Sequence, residues 1–203
     1  IGSADVVPLE MIASFTAFAN TGARTVPQAI LRVEDRGGRI IWQPQPKKVS
    51  VLEPAVAWLV TDVLRDVVRK GTASGTVGSQ IGFPAAGKTG TTNDGFDVWF
   101  IGFTPELVTG VWMGFDQPKK IAPNAQGGRL AAPAWTMMMN EVYARRPLPG
   151  GWSRPADLVV AEIELASEDE AITLPAWVGP EVSSDPRYFN SNLLKNPYNT
   201  WNK

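Results

Sequence analysis

Cysteine and histidine are both absent from this 203-residue chain. Without cysteine there is no disulfide, no thiol nucleophile and no thiolate metal site, a composition that suits an extracytoplasmic compartment. Without histidine, a Ser-His-Asp or Cys-His mechanism within the chain is excluded, as is any imidazole-ligated metal. No metal and no cofactor is expected. No apolar run approaches the roughly 20 residues of a membrane span. Nineteen Lys and Arg against twenty Asp and Glu leave a formal net charge of −1. Such a balance gives no electrostatic case for nucleic acid or an anionic membrane surface. Internal repeats are absent, and no signal peptide is visible in the sequence, which begins at Ile1-Gly2-Ser3.

What is present is an ordinary supply of core residues, 44% hydrophobic, enough for one substantial core or a core with an appendage. Eight Trp and seventeen Pro suggest a loop-rich protein held by large aromatic anchors. Pro8 to Asn20 reads as a helix, with Pro8 in its first turn, Asp5 as its cap and Gly22 as its stop. Leu9, Ile12, Ala13 and Thr16 share one face of it. Ala29 to Glu34 and Arg39 to Gln43 read as a hairpin joined at Asp35-Arg36-Gly37-Gly38. Glu53 to Lys70 is the clearest helix, with Val56, Leu59, Val60, Val63, Leu64, Val67 and Val68 forming one apolar stripe. Gly71 to Gly82 reads as a flexible, hydroxyl-rich loop. Ala131 to Ala144 reads as a third helix whose Trp135, Met138, Met139 and Val142 face one way. From Pro147 onward the pattern changes. Residues 158 to 165 form one possible strand, and an extended tail follows, anchored by Trp177, Tyr188 and Trp201. The acidic run from Ser167 to Glu170 is read as a solvated turn, since four contiguous side chains do not converge on a metal.

Gly87 to Asp116, GKTGTTNDGFDVWFIGFTPELVTGVWMGFD, is the stretch around which the chain is organised. It reads as strand, turn, strand, turn, strand, with Asn93-Asp94-Gly95 as the first turn and Thr104-Pro105-Glu106 as the second. Side chains alternate along a strand, so Lys88, Gly90 and Thr92 point one way and Thr89 and Thr91 the other. A lysine flanked by hydroxyls and amides suits a carboxylate or a developing oxyanion. Gly90 would let a ligand approach the backbone. Gly82 to Thr89 also fits the phosphate-loop pattern G-x-x-x-x-G-K-[ST]. That loop needs a buried strand before it and a helix directly after Lys88, whereas the residues here are Gly-rich before it and strand-like after it.

The same stretch resembles the Lys-Thr-Gly motif of the penicillin-binding proteins and serine β-lactamases. The fuller likeness is to the class A, bifunctional penicillin-binding proteins. It rests on GKTGTTN, then Asp97, then Trp99-Phe100-Ile101-Gly102, then Trp112-Met113-Gly114-Phe115-Asp116. Pro-Leu-Glu-Met in the first helix and Gly-Gly-Arg-Leu-Ala-Ala-Pro-Ala-Trp before the last also resemble that family. The implied fold is α+β: an antiparallel sheet, made of the Lys-Thr-Gly strand and the two after it, packed with helices. It is incomplete and followed by an irregular C-terminal extension.

The resemblance also implies roles. Lys88 would border the nucleophile's proton-transfer network and hold positive potential in the cleft. The hydroxyls of Thr89 and Thr91, with Gly90 and Thr92 beside them, would bind the terminal carboxylate of a D-Ala-D-Ala stem peptide or a β-lactam. The backbone N–H of Thr91 would supply half of an oxyanion hole. Thr72 and Ser74, in the Gly-rich loop, would border the cleft. Two departures stand out. No serine is followed by lysine three residues later, and Ser-x-Asn is absent as well. Residues 1 to 146 are therefore expected to be the C-terminal half of a transpeptidase domain, with 147 to 203 an extension. The nucleophile would lie on an upstream piece, and this chain alone would be inert. The parent would cross-link peptidoglycan outside the cytoplasmic membrane, held by an anchor not present here. Three alternatives stay open. They are a D,D-carboxypeptidase or β-lactamase-like hydrolase, a non-catalytic cell-wall-binding module, and a phosphate-loop nucleotide binder.

Overall fold

The computed structural model describes residues 6–156 and residue 158. The expected strand at 158–165, the tail beyond it, Asp5 and the acidic run at 167–170 lie outside the described residues.

The first element, helix α1, runs from Pro8 to Ala19. Its N-cap is Val7, with no side-chain cap, so the helix begins two residues later than a cap at Asp5 would require. Pro8 in the first turn needs no N–H partner, which makes a side-chain cap less necessary there. The chain then turns sharply through Thr21 and Gly22, both at positive φ. At Gly22 a side chain would strike the Leu52 carbonyl, so this stop has steric as well as conformational force. Ala13, Ala17 and Ala19 are buried, whereas Leu9 is exposed. Small residues let α1 lie close to the sheet.

Next comes β1 (Ala23–Thr25), then a hairpin of β2 (Val33–Glu34) and β3 (Ile40–Trp42), then β4 (Lys48–Ser50). The hairpin is where the sequence puts it, but its strands are shorter. Asp35 closes the turn: its Oδ1 accepts from the N–H groups of Gly37 and Arg39, each at 2.9 Å. The pairing of β1 with β4, Ala23 opposite Ser50, was not expected. It brackets the hairpin and returns the chain to α1.

Helix α2 (Pro54–Arg69) has the expected span. Its buried line is Ala57, Thr61, Leu64 and Val68, not the whole apolar stripe. Val56, Leu59 and Val63 are exposed. The reason is close approach: the small Ala57 and the back-bonded Thr61, whose Oγ1 donates to Ala57 O at 2.8 Å, face inward. That rotates the outer valines and leucine away. The loop after α2 is not flexible in form. Residues Ser74–Gly78 make a π-helical turn that buries Ala73 and Val77. The turn is tied to the last helix, as Thr136 Oγ1 donates to Thr76 O at 2.8 Å and Asn140 Nδ2 donates to Gln80 O at 3.0 Å.

The central sheet is an antiparallel meander of β5 (Ala86–Thr91), β6 (Val98–Phe103) and β7 (Val108–Met113) in that spatial order. Among the described residues every sheet has two or three strands, and none closes into a barrel. Helix α3 (Ala131–Ala144) covers one face, and α1 and α2 cover the other. On the α3 face Phe100 meets Trp135 edge-on, with centroids 5.3 Å apart. Gly102 leaves the room that the Trp135 indole occupies. On the opposite face Phe103 meets Phe15, Phe18 and Trp152. The buried line of α3 includes Trp135, Met139 and Tyr143, one turn apart, while Met138 is exposed, contrary to the sequence-based stripe. Tyr143 bends that line toward Thr104, whose Oγ1 lies 2.7 Å from its hydroxyl. The mixed α+β architecture expected from the sequence is the one observed.

Candidate active site

Strand β5 is an edge strand among the described residues, and it carries Lys88-Thr89-Gly90-Thr91. The residues after Lys88 continue the strand, so the helix a phosphate loop requires is absent. Register with β6 places Lys88 opposite Ile101, Thr89 opposite Phe100, Gly90 opposite Trp99 and Thr91 opposite Val98. Thr92 N–H donates to Asp97 O at 3.0 Å, toward β6. Antiparallel alternation therefore directs the N–H of Thr91 and the carbonyl of Thr89 to the free edge. The Lys88 ammonium is at that edge too, donating to Thr89 O at 2.7 Å. One strand edge thus presents a cation and a backbone donor to solvent.

The hydroxyls sort into two groups. Thr89 Oγ1 lies 3.0 Å from Thr72 Oγ1, so the loop after α2 does reach β5. Thr91 Oγ1 accepts from the Gly127 N–H at 3.0 Å. Thr92 is placed differently: its Oγ1 accepts from the N–H groups of Phe96 and Asp97, at 3.0 and 2.9 Å, and is used in closing the β5–β6 turn. Ser74 opens the π-helical turn, and no hydrogen bond of its side chain joins it to β5. So Lys88, Thr89, Gly90, Thr91 and Thr72 come together, and Thr92 and Ser74 do not.

Two neighbours stood in the sequence only as part of the resembling Gly-Gly-Arg-Leu segment, with no site role attached. Gly127 is buried beneath β5, where a Cβ would land against the carbonyl oxygens of Gly90 and Trp99. Gly128 sits beside the Thr72 carbonyl and the Thr89 methyl. A backbone donor on a glycine has no side-chain chemistry to mark it, and only the close approach reveals it. On the other side of Gly90 stands Trp99, which is followed across the sheet by Trp112, with ring centroids 6.4 Å apart. Trp112 Nε1 donates to Asp97 Oδ1 at 2.9 Å, fixing the outer indole.

Residues 1–140 match the family described as the penicillin binding protein transpeptidase domain. Penicillin-binding protein 1A of Neisseria lactamica is 36% identical over 182 residues, covering 86% of this chain and 22% of that protein. Its counterpart in Aquifex aeolicus is 36% identical over 160 residues, covering 79% of this chain and 22% of that protein. The chain thus spans 22% of the length of either relative. Among solved structures, penicillin-binding protein 1A from Haemophilus influenzae superposes with a TM-score of 0.68 at 23% identity, over 75% of this chain and 28% of that one. PonA1 from Mycobacterium tuberculosis superposes with a TM-score of 0.58 at 21% identity, over 77% of this chain and 45% of that one. The family match covers residues 1–140, well over half of the chain, and the chain belongs to the penicillin-binding protein transpeptidase family.

Proposed function

We propose that residues 1–146 are the C-terminal half of a D,D-transpeptidase domain that cross-links peptidoglycan stem peptides at the outer face of the cytoplasmic membrane. Residues 147–203 are an extension, whose start is held to the sheet by Trp152. The nucleophilic serine, its lysine base and the Ser-x-Asn segment belong to an upstream part of the protein. The exposed valines and leucine of α2 suit packing against such a part.

In this reading the free edge of β5 is one wall of the cleft. Thr89 and Thr91 donate to the C-terminal carboxylate of a D-Ala-D-Ala stem peptide, and Lys88 neutralises it. The upstream serine oxygen attacks the penultimate D-Ala carbonyl. The developing oxyanion takes the Thr91 N–H and a second, upstream donor. The C–N bond breaks, the proton passes to the leaving D-Ala amine, and an acyl ester remains. An amine of a neighbouring stem peptide then attacks the ester, forming the cross-link and returning the proton to serine. A β-lactam enters the same cleft through its carboxylate and stops at the ester. Lys88, Thr89 and Thr91 gathered at one free edge carry this reading.

Intact-mass spectrometry with benzylpenicillin tests it. The full-length protein should gain the drug's mass on a serine upstream of this chain, and the isolated chain should gain nothing. An adduct on the chain itself, or none on the full-length protein, would contradict the proposal.

A further inference from the structure

The substrate-facing hydroxyls of β5 are not free rotors. A threonine hydroxyl has one hydrogen to give and two lone pairs to accept with. To bind a carboxylate it must give its hydrogen outward, and a bond that supplies a lone pair's partner from behind enforces that direction. Gly127 N–H does this for Thr91 at 3.0 Å. Thr72 is placed to do it for Thr89 at 3.0 Å: once Thr89 donates to an anion, the only proton left for their shared contact is that of Thr72. The two supports are one assembly, since Gly128 packs between the Thr72 carbonyl and the Thr89 methyl. Gly127 lies too close to the carbonyls of Gly90 and Trp99 for any side chain.

We infer that Gly127 and Thr72 are positioning residues that set both threonine hydroxyls of β5 as donors to the ligand carboxylate. This rests on the function proposed above and adds to it the source of the hydroxyl polarity. Neither residue touches the reacting atoms. Thr72→Val keeps the shape and removes the hydrogen. Thr72→Ser keeps the hydrogen. Gly127→Ala must displace the loop from Thr91.

The test compares acylation of the full-length protein by benzylpenicillin with acylation by its methyl ester, which lacks the carboxylate charge. In the wild type the acid should react faster than the ester. Thr72→Val should lower the acid-to-ester ratio of second-order rate constants about tenfold, as for one weakened bond to a charged group. Thr72→Ser should restore it. Gly127→Ala, with its fold checked by thermal unfolding, should lower the same ratio. If Gly127→Ala does not fold, the Thr72 pair decides alone. A merely structural role would lower both rate constants together, and that result, or an unchanged ratio, overturns the inference alone. A wild type that neither reagent acylates overturns the proposed function and this inference with it.

Discussion

At the scale of single residues, the sheet depends on Trp135. Its indole is fully buried in the space that Gly102 leaves, edge-on to Phe100. Aromatic pairs of this geometry add about 0.5–1.5 kcal/mol to the burial itself. Trp135→Ala should destabilise the fold by about 3–5 kcal/mol, read from the urea unfolding midpoint, because the rigid sheet cannot collapse into the void. A loss under about 1 kcal/mol would mean that α3 is not seated as described. In the proposed function Lys88 supplies the charge of the cleft. Its ammonium is exposed and held by a single carbonyl, so replacing it costs the fold little. The cleft loses its positive charge, and Lys88→Ala should slow acylation of the full-length protein by about 100-fold or more. An acylation rate within a few-fold of wild type would remove Lys88 from the site.

Among the elements, the hairpin of β2 and β3 carries a pH response. The Arg39 N–H chiefly holds the Asp35 carboxyl below its ordinary value; desolvation opposes it, and the Gly37 N–H and the Arg39 side chain add to the lowering. A depressed carboxyl stabilises the fold above its unfolded pKa and loses that contribution as pH falls through its folded value. The hairpin should therefore weaken below about pH 4, and Asp35→Asn should flatten that dependence. Amide exchange at Gly37 and Arg39, followed against pH, reads this locally. Equal exchange profiles for the two proteins would refute it.

Elements also show what the sequence could and could not convey. Helix α3 was legible to the residue because Pro133 and the Arg145-Arg146-Pro147 end mark it. The meander was legible because its turns are written in Asn-Gly-type and Pro residues. The inner side of α2 was not, since hydrophobicity marks which residues avoid water and not which side has a partner. Strands β1 and β4 have three residues each, too short for a period to register. The π-helical turn looked like a linker because Gly and Ser dominate it, and its order comes from tertiary bonds to α3. At the candidate site, Lys88, Thr89 and Thr91 were singled out by their motif, whereas Gly127, although inside the resembling Gly-Gly-Arg-Leu segment, contributes a main-chain donor that no side-chain chemistry marks.

On the scale of the whole molecule, the described residues leave much apolar surface uncovered. Val56, Leu59 and Val63 form a stripe along α2, with Val63 67% exposed. Both outer strands of the central sheet, β5 and β7, have an unpaired edge among the described residues. Surfaces and edges of this kind promote association. The isolated chain should self-associate, with a sedimentation coefficient that rises with concentration. Leu59→Glu combined with Val63→Glu should shift it toward monomer. A wild-type chain monomeric at every concentration would show that this face needs no cover.

The paired indoles have a further consequence. Trp99 backs the glycine of the Lys-Thr-Gly strand, and Trp112 lies 6.4 Å beyond it at 46°, close enough for their transitions to couple. In the proposed cleft, an anion at the free edge would alter the field across that pair. Near-ultraviolet circular dichroism would then report occupancy with nothing attached to ligand or protein.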